Sequence, residues 1–408
     1  MYDEFRMQCI YRVPPDIRET NPKAYTPRIV SIGPFHKASD AGKEGSIFET
    51  MEELKVNYLK AFLNRTHGQV PAETFVDKLQ KLEDKIRSSY AVRIKYNSDD
   101  FLKMILIDAC FIIELFLRYH TCSYCQLIVD PLLLKPWMLT QICRDLILLE
   151  NQLPFFVLKK LYKLAGMNRE FPSFLEISFS CLMKNVGYGT CHPTESPKHF
   201  TDLLRTCIIS SSKFDLRAQE DCKEITLVYS ASRLREAGLK FKVSPNENEC
   251  LLDLTYSNEG VLTMPILKIG DDTEIFFRNI VAFEHCHFPY NQKIITQYRK
   301  ILDSLINTEK DVNVLVEKKI IVNCMGDANA VATMVNSLGT NLDMPAINSH
   351  YSSLCKSLND FYESPCNKYK ATFIHEYFNT PWKIASTVAA IMLLLFTLIQ
   401  TICSFISL

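Results

Sequence analysis

The sequence lacks an excess of charge of either sign. Lysine plus arginine number 46, aspartate plus glutamate also 46, so the formal net charge is zero at pH 7. Binding nucleic acid through its phosphates requires a basic footprint, and no basic stripe runs along this chain, so nucleic acid is not an expected partner. Glycine is scarce too, at 12 of 408 residues. That is poor material for phosphate-cradling loops. The chain has no G-x-S-x-G, no G-x-x-x-x-G-K-[ST], and no G-x-G-x-x-G behind a strand-like run. Gly187-Tyr188-Gly189 falls in a polar stretch, 187–198, that reads as a loop. The opening MYDEFRMQCIYRVPPDIRE holds no apolar core of signal-peptide length. These absences leave no catalytic motif and no cofactor expected.

What is present begins with a folding composition, 47% hydrophobic and 23% charged, in a chain long enough to bury a large core. The 15 cysteines are odd in number and irregularly spaced. Several sit in apolar helical stretches, such as Cys110 in IDACFIIELF, where a free thiol packs as a small hydrophobe. A reduced population and a cytosolic environment follow. One glycosylation sequon, Asn64-Arg65-Thr66, lies within a helical pattern.

The C-terminal run from Ile384 to Leu408, IASTVAAIMLLLFTLIQTICSFISL, has 25 residues without a charge. About 20 apolar residues suffice to cross a bilayer as a helix. Trp382 stands at its start as an interfacial anchor, and Lys383 marks the aqueous side. A membrane helix over 384–408 is therefore expected. It would leave a soluble domain, residues 1–380, on the side where the flanking lysines stay, the cytosol.

That domain reads as mainly helical. A proline-punctuated, extended lead-in covers 11–36. Met51, Leu54, Tyr58 and Phe62 then recur at helical spacing, as do Phe75, Leu79, Leu82, Ile86 and Tyr90. From Phe101 to Leu117 the chain is apolar almost all round, but Lys103, Asp108 and Glu114 make it a central core helix rather than a second span. The period changes over about 251–278, where LLDLTYS, VLTMPILKI and TEIFFR predict a small antiparallel β element. Helical spacing returns with Ile294, Tyr298, Ile301 and Leu305, and again behind the cap candidate Asp327.

Three polar groups compete for a functional reading. In DLILLENQLPFFVL (145–158), the trio Glu150, Asn151 and Gln152 interrupts an apolar run ahead of Pro154. A proline suits the first turn of a helix and pushes its predecessor out of helical geometry. The segment thus reads as a hinge between two helices, with Asp145, Arg144 and Arg118 as ionic partners, rather than a reactive centre. Asp108 and Glu114 could form an acid–base pair, but six residues apart on a helix they face different ways, and Glu114 pairs more naturally with Arg118. His120, Cys122 and Cys125 put three zinc-ligand types within six residues, yet no second pair completes a tetrahedron, so no metal is expected. Glu284 and His287 form a single E-x-x-H.

The blocks VPPDIRETNPKAYTPRIVSIGPFH (13–36), MEELKVNYL (51–59), IDACFIIELF (107–116), DLILLENQLPFFVL (145–158) and FFRNIVAFEHC (276–286), with the Trp382-led C-terminal span, occur in a distinctive order. In this the chain resembles the plant domain of unknown function 247, whose members usually end in one membrane helix. His285 and Lys370 depart from residues common in that family. The resemblance implies no established activity. Some grass members look like pollen-side self-incompatibility determinants, which implies a recognition or signalling protein with a protein or peptide partner. The competing expectation is an enzyme of unrecognised type using the buried carboxylates. Whether the membrane is plasma membrane or endomembrane stays open.

Overall fold

A computed structural model of the chain describes residues 7–36, 47–66, 68–125, 135–186, 196–214, 226–246, 249–342, 346–378 and 381–406. After the proline-rich lead-in, which holds one short helix, Pro15–Thr20, and a 3-10 turn, Pro22–Tyr25, come α1 (Ile47–Arg65) and α2 (Ala72–Gln80). After a short helix, Glu83–Ser88, comes α3 (Ser98–Cys125), the centre of the body. Its apolar residues wrap the whole circumference, so it can only be stable when covered on every side. From Ile112 to Leu117 every residue is at most 1% exposed. Helices α1 and α2 pack along it, and so do α5 (Phe155–Leu164) and α6 (Phe174–Val186), while α4 (Pro136–Leu146), on the other side of the hinge from α5, packs on α6.

Beyond α7 (Phe200–Ser210) lies a small mixed sheet. Strands β2 (Thr255–Ser257) and β3 (Val261–Met264) pair antiparallel around the turn at Asn258–Gly260, as the alternation predicts. Two additions were not legible locally. Strand β1 (Lys240–Val243) joins β3 in parallel, and in a separate two-stranded sheet β4 (Leu267–Ile269) pairs in parallel with the distant β5 (Ile321–Asn323). The third strand-like run, TEIFFR, is a correction: it forms the start of α8 (Asp271–His287). Asp271, Asp272 and Glu274 favour a helix N-terminus, and the Gly270 amide donates to Thr273 Oγ1 at 2.9 Å. The run is apolar on both strand faces because the helix is buried all round, from Ile275 to Glu284.

Besides a short helix, Ala231–Glu236, between α7 and β1, the remaining α-helices are α9 (Ile294–Leu305), α10 (Glu309–Glu317), α11 (Ala328–Ser337), α12 (Ser349–Glu363), α13 (Pro365–Tyr377) and α14 (Pro381–Ile406). Local side chains start several of them. Asp327 accepts the amides of Asn329 and Ala330 at 3.0 and 3.2 Å, and Asn348 accepts that of Tyr351 at 2.9 Å. Helix α14 is unlike the rest. A stretch of 23 residues, Trp382–Ser404, is long and apolar enough to cross a membrane, and none of its apolar window is buried.

Candidate functional site

The hinge is the hub of a buried polar clamp. Helix α4 ends at Leu146, and α5 begins at Phe155 with Pro154 as its N-cap, one position earlier than first-turn placement predicts. The residues between them do not hold one another alone; they hold the lead-in segment 13–36. Glu150 accepts the Val13 amide at 2.8 Å and pairs with Arg18 at 2.7 Å, with His36 Nε2 3.4 Å away. Asn151 accepts the Ile32 amide at 2.7 Å and donates to the carbonyls of Val30 and Asp145. Gln152 donates to the Leu146 and Leu148 carbonyls and accepts the Phe200 amide at 2.9 Å.

Asp145 completes the clamp. Its two oxygens accept the consecutive amides of Arg28, Ile29 and Val30 at 3.0, 2.7 and 2.9 Å. An extended segment has no ladder partner for such amides, so carboxylates supply the acceptors a strand would. Of the ionic partners expected for the hinge, Asp145 is in the clamp but the two arginines lie elsewhere: Arg144 pairs with Asp272, and Arg118 with Glu114. Arg18, which the sequence reading missed, replaces them. It comes from 132 residues away.

Burial alone pushes the Glu150 carboxyl up, but His36, the Val13 amide and the Arg18 charge outweigh it and hold the group below the usual carboxylate range. Asp145 goes the other way. Burial outweighs its three amide donors and raises it to about 6.

The two core-helix carboxylates are separated, as their spacing implies. Asp108 meets Lys55 of α1 at 2.8 Å and also accepts the Gly33 amide at 2.9 Å, while Lys55 donates to the Ser31 carbonyl. Glu114 is forked between Arg65 at 2.7 and 3.0 Å and Arg118 at 2.7 Å. Glu284 is likewise engaged, by Arg205 at 2.8 Å and by the amide and hydroxyl of Thr296, while His287 bonds the Tyr11 hydroxyl. Among the described residues no group of three or more His, Cys, Asp or Glu is placed to hold a metal ion; the side chains of Cys122 and Cys125 lie outside them, as does the loop at Gly187.

The open, polar surface lies elsewhere. Segment 91–96 runs over the surface between two adjoining grooves of about 910 and 540 Å³. Arg12, Arg87, Arg93 and Lys95 line them, and no acidic side chain among the described residues does. Arg87 is occupied, bonded to Glu83 and to the carbonyls of Ile94 and Tyr96. Arg12 stacks on Phe35, 4.7 Å from its centroid. Arg93 and Lys95 are exposed and bond no described residue. Sequence reasoning had no means of finding this site, since AVRIKYN has no motif and its partners Arg12 and Phe35 are distant in the chain.

At the other end, Trp382 is 84% exposed, and Lys383 and Ile384 are exposed with it. Leu408, the expected end of the span, lies outside the described residues.

The profile of a family described as plant protein of unknown function, domain of unknown function 247, matches residues 10–396. The chain belongs to that family. The match begins just before the clamped lead-in and ends within α14, so it takes in the clamp whole. The chain is 30% identical to the UPF0481 protein At3g47200 of Arabidopsis thaliana, an alignment covering 96% of this chain and 85% of that one. It is 22% identical to a second UPF0481 protein of that plant, At3g02645, over 96% and 89% of the two chains. No solved structure matches it.

Proposed function

We propose that this family member is a single-pass membrane protein that acts by recognition rather than catalysis. Its helical body faces the cytosol, and the grooves around 91–96 take up an extended acidic peptide segment of a partner protein. The observation that carries the reading is the contrast between the two polar regions. The buried carboxylates are saturated by arginines, lysine and backbone amides, which leaves them no free valence for substrate. Arg93 and Lys95, which bond no described residue, are at the surface beside Phe35, Val92 and Tyr96. Cations interleaved with apolar and aromatic side chains suit a peptide that alternates carboxylates with apolar residues.

Anchoring rests on α14, whose apolar side chains find no protein cover. Lys368, Lys370 and Lys383 flank its N-terminal side, which favours the cytosol for the body. Deleting 384–408 should release the protein from membranes, and the full chain should resist alkaline extraction. Protease added to sealed vesicles should digest the body. Protection of the body with glycosylation at Asn64 would reverse the orientation.

Recognition is tested by fluorescence anisotropy on the full chain in detergent micelles, using a labelled peptide of alternating glutamate, leucine and phenylalanine. Binding should weaken at least tenfold in Arg93→Glu/Lys95→Glu and with the glutamine version of the peptide. Equal binding of the glutamate and glutamine peptides, or none, would sink the acidic-peptide reading while leaving the anchor untouched.

A further inference from the structure

Helix α13 exposes a row of rings. Tyr369, Phe373 and Tyr377 are 77%, 51% and 51% exposed. Residues four apart on a helix are offset by only about 40°, so the three form one stripe. The opposite face is used: Ala371 is wholly buried, and α13 packs on α12 and on the short helix Ala231–Glu236. His375 lies 3.4 Å from Glu236 on that side. Body packing therefore orients the helix so that the aromatic face points away from the protein.

The stripe leads into the apolar span. Helix α14 starts four residues after α13 ends, and Thr387 in its second turn donates to the Tyr377 carbonyl at 3.2 Å. Trp382, 84% exposed, sits at the junction. The aromatic stripe thus ends beside the aqueous end of the span. Rings with a polar tip fit the headgroup level of a bilayer, where the body of the ring is apolar and the hydroxyl stays wet. Left in water, such a patch would be an association liability.

We propose that α13 lies along the bilayer surface, with Tyr369, Phe373 and Tyr377 at the boundary between headgroups and acyl chains. The body is then held against the membrane in a defined orientation instead of swinging on a tether. This rests on the anchoring reading above, so the test separates the two.

The chain has two tryptophans, Trp137 and Trp382. In the full chain carrying Trp137→Phe and Trp382→Phe, Phe373→Trp places a single reporter in the stripe. Tyr369→Trp in the same background serves if the first variant melts below its parent. In phosphatidylcholine vesicles brominated near the headgroup end of the acyl chains, emission should fall at least twofold, and aqueous iodide should quench poorly. Strong iodide quenching without bromolipid quenching, in protein that resists alkaline extraction, would overturn the proposal and leave the anchor standing. Protection from both quenchers would overturn it in favour of a second copy covering the stripe. Release into alkali would remove the anchor and the proposal together.

Discussion

Lys55 and Asp108, neither with any solvent exposure, meet at 2.8 Å in the middle of the body. Burial opposes the Lys55 charge, but Asp108 and Glu52 outweigh it and keep the amine protonated. The pair also ties the lead-in, since Lys55 donates to Ser31 and Asp108 accepts Gly33. Removing one member of a buried pair strands the other, at a cost of about 3–5 kcal/mol.

Asp108→Ala and Lys55→Met should therefore each lower stability by about that amount, and the double variant should cost less than the sum of the two. Urea unfolding of the full chain in micelles measures all three. Strict additivity would mean the two groups do not act as a pair.

Gly33 has φ +72°, and a Cβ there would lie 2.7 Å from the Gln152 carbonyl oxygen. Gly68 has the same φ with nothing within 4 Å. Gly68→Ala should then cost only the left-handed penalty, about 1 kcal/mol, whereas Gly33→Ala must also displace the hinge backbone and should cost several-fold more. Equal melting temperatures for the two variants would contradict the close approach of lead-in and hinge.

Leu153 is fully buried beside the clamp. Leu153→Asp should cost several kcal/mol, comparable to a domain's whole stability, and yield little folded protein. Asn151→Ala, which deletes one accepted and two donated hydrogen bonds, should lower the melting temperature more than Pro154→Ala. A fully stable Leu153→Asp protein would remove the structural role of the hinge.

His199 is buried against Phe283, donates from Nε2 to the Cys9 carbonyl, and accepts the Asp202 amide at Nδ1. Burial lowers its pKa from 6.5 to about 4. The unfolded chain then binds the extra proton first, so stability is lost as pH falls from 6.5 towards 4, by about 3 kcal/mol. Asp145, raised from 3.8 to about 6, contributes with the opposite sign: its burial cost is relieved as pH falls through 6. Unfolding measured between pH 4 and 7 should show a shallower acid loss in His199→Gln than in the parent, and a steeper one in Asp145→Asn. Parallel curves would contradict both assignments.

The elements with a strong period of their own were legible. The all-round apolar run became α3 because its burial is demanded by composition, and Asp327 capped α11 because a cap acts on amides two and three residues away. TEIFFR misled, because a short apolar run buried on every side has the same composition in a strand and in a helix.

What the sequence by itself determined is what depends on neighbours: helical periods, the hinge before Pro154, the pairing of Glu114 with Arg118, and an uncharged C-terminal run with Trp382 at its head. Only the tertiary structure decided who answers the buried charges. Arg18 reaches Glu150, the amides of 28–30 reach Asp145, and Arg12 and Phe35 join 91–96 to make a groove. These partners lie far along the chain, and many arginines and amides could satisfy each carboxylate equally well. A buried carboxylate requires some partner, and which one it takes is settled by how the helices pack.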